Sequence, residues 1–269
     1  MIVFPNSKLN LGLNITGKRR DGFHNLETVF YPIAFLDVLE AVPAGDFSFA
    51  VSGLQVQAEP ENNLCVRAVR ILEKEFPQCS RINLHLHKVI PMGSGLGGGS
   101  ADAAFTLELL NRKFNLALPI EKLLDYALQL GSDCPFFIVN QPCFATGRGE
   151  FLQKINLDLK DYSILIVNPG ISIDTSWAFS QLDLETPGES IQKMIGEPPE
   201  KWRDRLVNDF EKPVFIAHPE LKSIKNTLYD SGAIYASMTG SGSTMFGLFK
   251  KKQVPRLFND RHYMVRVFE

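Results

Sequence analysis

The chain has 269 residues, 45% hydrophobic and 22% charged, with 20 Gly and 16 Pro dispersed along it. That length exceeds the ~100–150 residues of a usual single domain, so one large domain or two moderate ones are expected. Its 28 Lys and Arg against 30 Asp and Glu give a net charge of −2, without the basic excess that gripping a nucleic-acid backbone requires.

No run approaches the ~18 apolar residues of a membrane-spanning helix. Asn6, Lys8, Asn10 and Asn14 interrupt any apolar leader at the N-terminus. Cys65, Cys79, Cys134 and Cys143 show neither a C-x-x-C pair nor ligand-like clustering. They read as reduced thiols of a cytoplasmic protein, with neither a disulfide framework nor a zinc site.

From Lys8 to Thr16, Leu9, Leu11, Leu13 and Ile15 alternate with Lys8, Asn10, Gly12, Asn14 and Thr16. This period of two predicts a strand with one apolar face and one carrying Lys8, Asn10 and Asn14 side by side. A turn-rich stretch, Gly17–His24, leads to a second strand around Leu26–Phe35. Short strands are expected near 47–57, and Leu64, Ala68, Ile71 and Leu72 give Asn63–Phe76 a helical period. Arg81–Val89 alternates again and runs into a glycine loop, Pro91–Gly99. Helices follow at Ser100–Phe114 and Ile120–Leu130, with Gly131 as the C′ residue of the second, then an apolar strand at Phe136–Val139. A strand at Tyr162–Val167 precedes helical, proline-punctuated sequence to about Ser231. The end reads as strand Ala233–Met238, turn Thr239–Ser243, strand Thr244–Phe249, helix Lys251–Asn259 and strand Tyr263–Phe268. The change of grain puts a domain boundary near 154–160, giving domains 1–155 and 156–269 of an α+β protein.

The loop at 91–100, PMGSGLGGGS, sets five glycines in seven positions between a strand and a helix. Glycine lets backbone N–H groups approach a ligand closely, and the following helix N-terminus adds unpaired donors and partial positive charge, which together make a phosphate cradle. A Walker A loop would end in Gly-Lys-Ser/Thr, but Gly98-Gly99-Ser100 has no lysine. Gly93, Gly95 and Gly98 match a dinucleotide G-x-G-x-x-G, yet Lys113 and Phe114 stand where an acidic residue belongs, and another helix follows instead of a strand. The H-R-D and D-F-G elements of protein kinases do not occur.

Pro91–Ala101, reading P-x-x-x-G-L-G-G-G-S-A, resembles the phosphate loop of the GHMP small-molecule kinases. Pro5–Leu11 (PNSKLNL) resembles the N-terminal motif of that family and Met238–Ser243 (MTGSGS) its C-terminal glycine motif. Three motifs in the same order span nearly the whole chain. Further segments, Ile15–Leu26 (ITGKRRDGFHNL), Glu61–Leu64 (ENNL) and Gly131–Phe136 (GSDCPF), are similar to the branch that phosphorylates the 2-hydroxyl of a cytidylated methylerythritol in non-mevalonate isoprenoid synthesis. The resemblance implies a two-domain fold, an N-terminal mixed sheet with helices and a C-terminal ferredoxin-like α/β sandwich, with the active site in the cleft between them. It also implies ATP and Mg²⁺ as co-reactants, a small-molecule sugar-alcohol substrate, no nucleic-acid or membrane partner, and a monomer or weak homodimer.

Phosphoryl transfer asks mainly for positioning, charge stabilisation and an acceptor for the alcohol's proton. Asp133 matches the catalytic aspartate of the family, and the Lys8 ammonium is its natural partner, able to hold it ionised and to stabilise the attacking oxygen. Otherwise Asp133 is a solvated loop carboxylate and Lys8 an exposed strand lysine. Ser100 is expected to meet Mg²⁺ or phosphate with its hydroxyl. Pro91, Gly93, Gly95, Leu96, Gly97, Gly98 and Gly99 frame the loop, its glycines presenting backbone N–H groups. Asp102, in the first helical turn, should repel phosphate unless it points away or meets the metal. Asn63 and Lys88 match positions associated with the nucleotide base.

At the substrate end the resemblance places Asn10 beside Lys8. Phe23 and His24 offer an aromatic platform and a polar partner for a cytosine edge, although Asp21-Gly22 alone is a turn signal. Relatives often carry Tyr where Phe23 stands, so a hydroxyl contact is missing here. Phe179 resembles a second aromatic wall, with Thr175 near it. Gly240, Ser241 and Gly242 form a hairpin turn that can also present N–H donors to a phosphate. His85 and His87, at i and i+2, belong either to a polar sheet face or to a metal pair lacking a third ligand. Rival readings are a homoserine- or mevalonate-type kinase, a non-catalytic ligand sensor on the same scaffold, and a dinucleotide oxidoreductase.

Overall fold

The computed structural model describes residues 1–55, 59–182, 189–258 and 263–269. The strands are β1 (Ile2–Val3), β2 (Asn6–Lys18), β3 (His24–Leu36), β4 (Val38–Pro43), β5 (Ser48–Gly53), β6 (Ile82–Lys88), β7 (Cys143–Thr146), β8 (Phe151–Lys154), β9 (Tyr162–Asn168), β10 (Tyr235–Met238), β11 (Met245–Lys250) and β12 (Met264–Phe268). The α-helices are α1 (Leu64–Glu73), α2 (Gly98–Lys113), α3 (Ile120–Leu130), α4 (Cys134–Val139), α5 (Thr175–Ser180), α6 (Ile191–Ile195), α7 (Glu211–Ala217) and α8 (Pro219–Asp230). Two compact units result, one of Met1–Lys8, Pro32–Met92 and Gly97–Gln141, the other of Leu9–Tyr31, Gly93–Leu96 and Pro142–Glu269. They interleave along the chain, a division different from the sequential 1–155 and 156–269.

In the first unit the sheet runs β1-β4-β6-β5, antiparallel except for the parallel pair β5–β6. The alternation in β6 buries Ile82, Leu84 and Leu86. Helix α1 starts where the Asn63 side chain accepts from the Cys65 N–H, and buries Cys65, Val66, Ala68, Val69 and Leu72. Helix α2 is lined by small residues, Ala101, Ala103 and Ala104, which lets it sink into the unit and pack on α1 and α4.

In the second unit a sheet ordered β2-β3-β7-β8 accompanies an antiparallel sheet ordered β10-β11-β9-β12. A parallel bridge joins Leu13 to Asn208. Leu13, Ile15, Leu165, Val167, Val214, Leu221, Ile224, Leu228, Met238 and Met245 share one buried core.

Several sequence expectations are corrected. Phe136–Val139 is not a strand but part of helix α4, opened by Pro135 in its first turn, where proline's fixed φ suits a helix start. Lys251–Phe258 is not helical, and Asn259 lies outside the described residues. Gly131 ends α3 with extended backbone, φ 172°, so no left-handed cap forms. In β2 the polar face is buried as well as the apolar one, from Asn6 through Ile15. The strands β1, β4, β7 and β8 had no counterpart in the sequence reading.

Candidate functional site

The first unit brings together Lys8, Asp133 and the start of α2. Lys8 Nζ lies 3.5 Å from Asp133 Oδ2; its side chain is 3% exposed, that of Asp133 36%. Asp133 occupies the N-cap position of α4, immediately before Pro135 enters the helix. The Lys8 stem runs along Gly97: a Cβ there would stand 3.1 Å from Lys8 Cε and 3.0 Å from the Phe137 ring. Gly97 has φ +73°, a left-handed conformation that suits glycine, and its carbonyl accepts the first bond of α2 from Ala101 N–H. The N–H groups of Gly98, Gly99 and Ser100 thus sit at a helix start, where intrahelical acceptors are lacking. Burial draws the Lys8 pKa below that of an ordinary lysine, against the opposing pull of Asp133.

Three residues expected at the nucleotide have partners within the protein. Lys88 does not reach a base: its side chain is fully buried, with Nζ 2.5 Å from Asp37 Oδ2 and 2.7 Å from Asp102 Oδ2. The same contact answers where Asp102 points, which is into the unit against Lys88. Asn63 spends its carbonyl oxygen capping α1. Ser100, in the first turn of α2, shares a hydrogen bond with the Cys134 thiol, whose pKa burial pushes up to about 12. Pro91 is half-buried between β6 and the loop. All four cysteines are free and buried.

In the second unit two glycine turns pack back to back. A Cβ on Gly95, whose φ is +80°, would meet the Thr239 carbonyl at 2.0 Å, and one on Gly240 would come 3.1 Å from Gly95 Cα. Thr239 Oγ1 donates to the Gly95 carbonyl at 3.1 Å, and Thr244 N–H to the Ser94 carbonyl at 3.2 Å. Residues 239–244 join β10 to β11 as a hairpin, and Gly242 N–H donates to the Thr239 carbonyl within it. Gly93 is exposed, with open space where a Cβ would stand, and Leu96 is buried.

Asn10, expected at the substrate, is bonded within the second unit. It is 2% exposed; its Nδ2 donates to Thr28 Oγ1 at 3.0 Å, while its Oδ1 accepts from Gly240 N–H at 2.9 Å and Thr239 Oγ1 at 3.2 Å. Its carboxamide thus braces the hairpin turn through Oδ1, while one Nδ2 hydrogen goes to Thr28.

His24 and Phe179 stack, centroids 4.7 Å apart and planes 16° off parallel, and Phe179 meets Phe210 edge-on. Burial and the charge of Lys18 lower the His24 pKa, so the ring is neutral at pH 7 and carries one donor and one acceptor. Phe23 is half exposed and carries the Arg148 guanidinium 4.6 Å from its ring centre. Thr175 and Ser241 hydroxyls lie 3.0 Å apart, linking the start of α5 to the glycine hairpin. His85 Nε2 and His87 Nδ1 both face the Ser52 hydroxyl at 2.9 Å on an exposed sheet face.

Sequence reasoning missed Asp37, Asn208, Thr239 and Arg148. Asn208 Nδ2 donates to the Met238 and Gly240 carbonyls, both at 2.8 Å, a contact that no local pattern announces. Asp37 left a faint signal, a lone charge inside the apolar run Phe35–Leu39. Among the described residues no cluster of three or more His, Cys, Asp or Glu is arranged to hold a metal. The Ser100 hydroxyl and the Asp133 carboxylate are oxygen donors, the ligand type of a hard cation such as Mg²⁺, which keeps several waters and is also bound by substrate phosphates.

Residues 63–147 match the family model described as GHMP kinases N terminal domain, and residues 182–260 that described as GHMP kinases C terminal. A 4-diphosphocytidyl-2-C-methyl-D-erythritol kinase of Bacteroides fragilis (strain YCH46) is 51% identical over 257 residues, 94% of this chain and 93% of that protein. One from Azobacteroides pseudotrichonymphae is 50% identical over 256 residues, 95% of this chain and 96% of its own. Among solved structures, a 4-(cytidine 5'-diphospho)-2C-methyl-D-erythritol kinase superposes with a TM-score of 0.79 at 30% identity, covering 92% of this chain and 90% of the other.

Proposed function

The chain belongs to the GHMP kinase family, and on that premise we propose that it transfers the γ-phosphoryl group of ATP to the 2-hydroxyl of 4-diphosphocytidyl-2-C-methyl-D-erythritol, a step of isoprenoid synthesis. Relatives sharing half of its residues carry that one name, which favours it over a homoserine- or mevalonate-type activity. The observation that carries the chemical reading is the Lys8–Asp133 pair lying against Gly97 at the start of α2.

In this mechanism the amides of Gly97, Gly98, Gly99 and Ser100 bind the phosphates. Asp133 orients the acceptor hydroxyl and takes its proton as the oxygen attacks the γ-phosphorus. The bond to the bridging oxygen breaks and ADP leaves. Lys8 stabilises the charge that grows on the attacking oxygen. Ser100, with Asp133 nearby, would hold Mg²⁺, which supplies neutralisation of phosphate charge when bound. Neutral His24 offers one donor and one acceptor to the cytosine edge, and Phe23 and Phe179 supply apolar ring faces. The glycine hairpin at 240–242 and the Thr175 and Ser241 hydroxyls offer further donors to the substrate's phosphates.

The test incubates the purified protein with ATP, Mg²⁺ and the cytidylated methylerythritol and reads product mass. A product heavier by one phosphoryl group is expected. Recovery of unaltered substrate, alongside turnover of homoserine or mevalonate, would reject the assignment.

A further inference from the structure

Beneath the first turn of α2 lies a buried charge cluster that the catalytic reading does not use. Lys88 and Asp37 have fully buried side chains and Asp102 is 3% exposed. Asp37 reaches them from the link between β3 and β4. Its Oδ1 accepts from the Val89 and Ile90 N–H groups at 2.5 and 2.8 Å, fixing the end of β6 that feeds the glycine loop. Its Oδ2 and the Asp102 Oδ2 both accept from the Lys88 ammonium. The other oxygen of Asp102, Oδ1, is buried without a hydrogen-bond partner. Gly98 is what lets the ammonium rise so close to the loop, since a Cβ there would stand 3.0 Å from Lys88 Nζ and 2.9 Å from Ile90 Cγ2.

Asp102 follows Ser100 by two residues, on the turn whose free amides attract anions. An uncompensated carboxylate there would work against a phosphate on the same turn. We propose that Lys88, held by Asp37, acts as a positioning residue for the phosphate loop: it offsets part of the Asp102 charge and fixes the first turn of α2 so that its amides keep their attraction for the nucleotide. The inference rests on the reading of Gly97–Ser100 as a phosphate cradle. It assigns Lys88 a role one step removed from the ligand, and explains why a lysine stands where no ligand can touch it.

A structural clamp and an electrostatic one differ in sign. Asp102→Asn keeps the shape and removes a negative charge, so ATP should bind about three- to tenfold more tightly. Lys88→Met keeps the stem and removes the positive charge, so ATP should bind about tenfold more weakly, with kcat at saturating ATP within about threefold of the parent. Binding is measured calorimetrically with ATP alone, and turnover and melting temperature on the same preparations. Opposite shifts in ATP affinity support the proposal. Weaker binding by both variants in proportion to lost melting temperature, or unchanged affinity in both, overturns it. Should Lys88→Met fail to fold, Asp102→Asn decides alone, tighter binding supporting and weaker or equal binding overturning. A parent protein that takes up no ATP removes the phosphate-cradle reading and this proposal with it.

Discussion

Replacing Lys8 by methionine separates what its charge does from what its stem does. Methionine is unbranched and of similar length, so it can lie along Phe137 and Gly97 as the lysine stem does. The ammonium sits 3.5 Å from Asp133 Oδ2. At an effective dielectric of ~20, a unit charge about 4 Å from such an ammonium gains about 4 kcal/mol. An attacking oxygen that acquires only part of a unit charge, beside a carboxylate one-third open to water, should lose about 2–3 kcal/mol, or ~30- to 150-fold in kcat. Stability should move the other way. Burial holds the Lys8 pKa below normal, the mark of an ammonium whose desolvation costs more than its partner returns, so the melting temperature should stay level or rise. Coupled detection of ADP release gives kcat and both KM values, and thermal melting gives stability. A variant with kcat within about threefold of the parent, or one whose lost activity tracks lost stability, would refute the catalytic charge argument.

Other substitutions probe separate parts. Asp133→Asn should lower kcat by ~10²–10⁴ with ATP affinity little changed. Because Asp133 raises the Lys8 pKa against burial, the same variant should lose its residual activity at lower pH on the alkaline limb; a limb that stays put or moves upward contradicts the coupling. Gly95→Ala would press a methyl against the Thr239 carbonyl at a backbone φ of +80° and should cost at least ~1 kcal/mol in urea unfolding; a midpoint equal to the parent's would count against the packed pair of turns. His24→Ala should raise KM for the cytidylated substrate far more than KM for ATP, and equal effects on both would exclude a role at the base.

The residues differ in how plainly they announce themselves. Period-two alternation located β2 and β6, and an unbroken apolar run, buried on both faces, located β9. The helical period located α1, and the helices read at 100–114 and 120–130 match α2 and α3 to within a few residues. At 134–139 the apolar run is too short to separate one period from the other, and Pro135 decided it. The pairing of Lys8 with Asp133, expected from motif and chemistry, is present as a 3.5 Å ion pair. Asn10 and Lys88 have protein partners that the sequence did not announce, for a common reason. A polar side chain beside a motif reads as facing a ligand, whereas Asn10 faces Thr28, Thr239 and Gly240, and Lys88 faces Asp37 and Asp102. Those partners stand up to 230 residues away, and local pattern carries no information at that range.

The contact between Thr239 and Gly95 joins segments 144 residues apart. Closing so long a stretch is slow and entropically late compared with local helix formation. During synthesis, helix α1 and the sheet strands around it can assemble while residues 93–96 still lack the hairpin that will brace them. The glycine loop should therefore acquire its final shape only after β10 and β11 have left the ribosome.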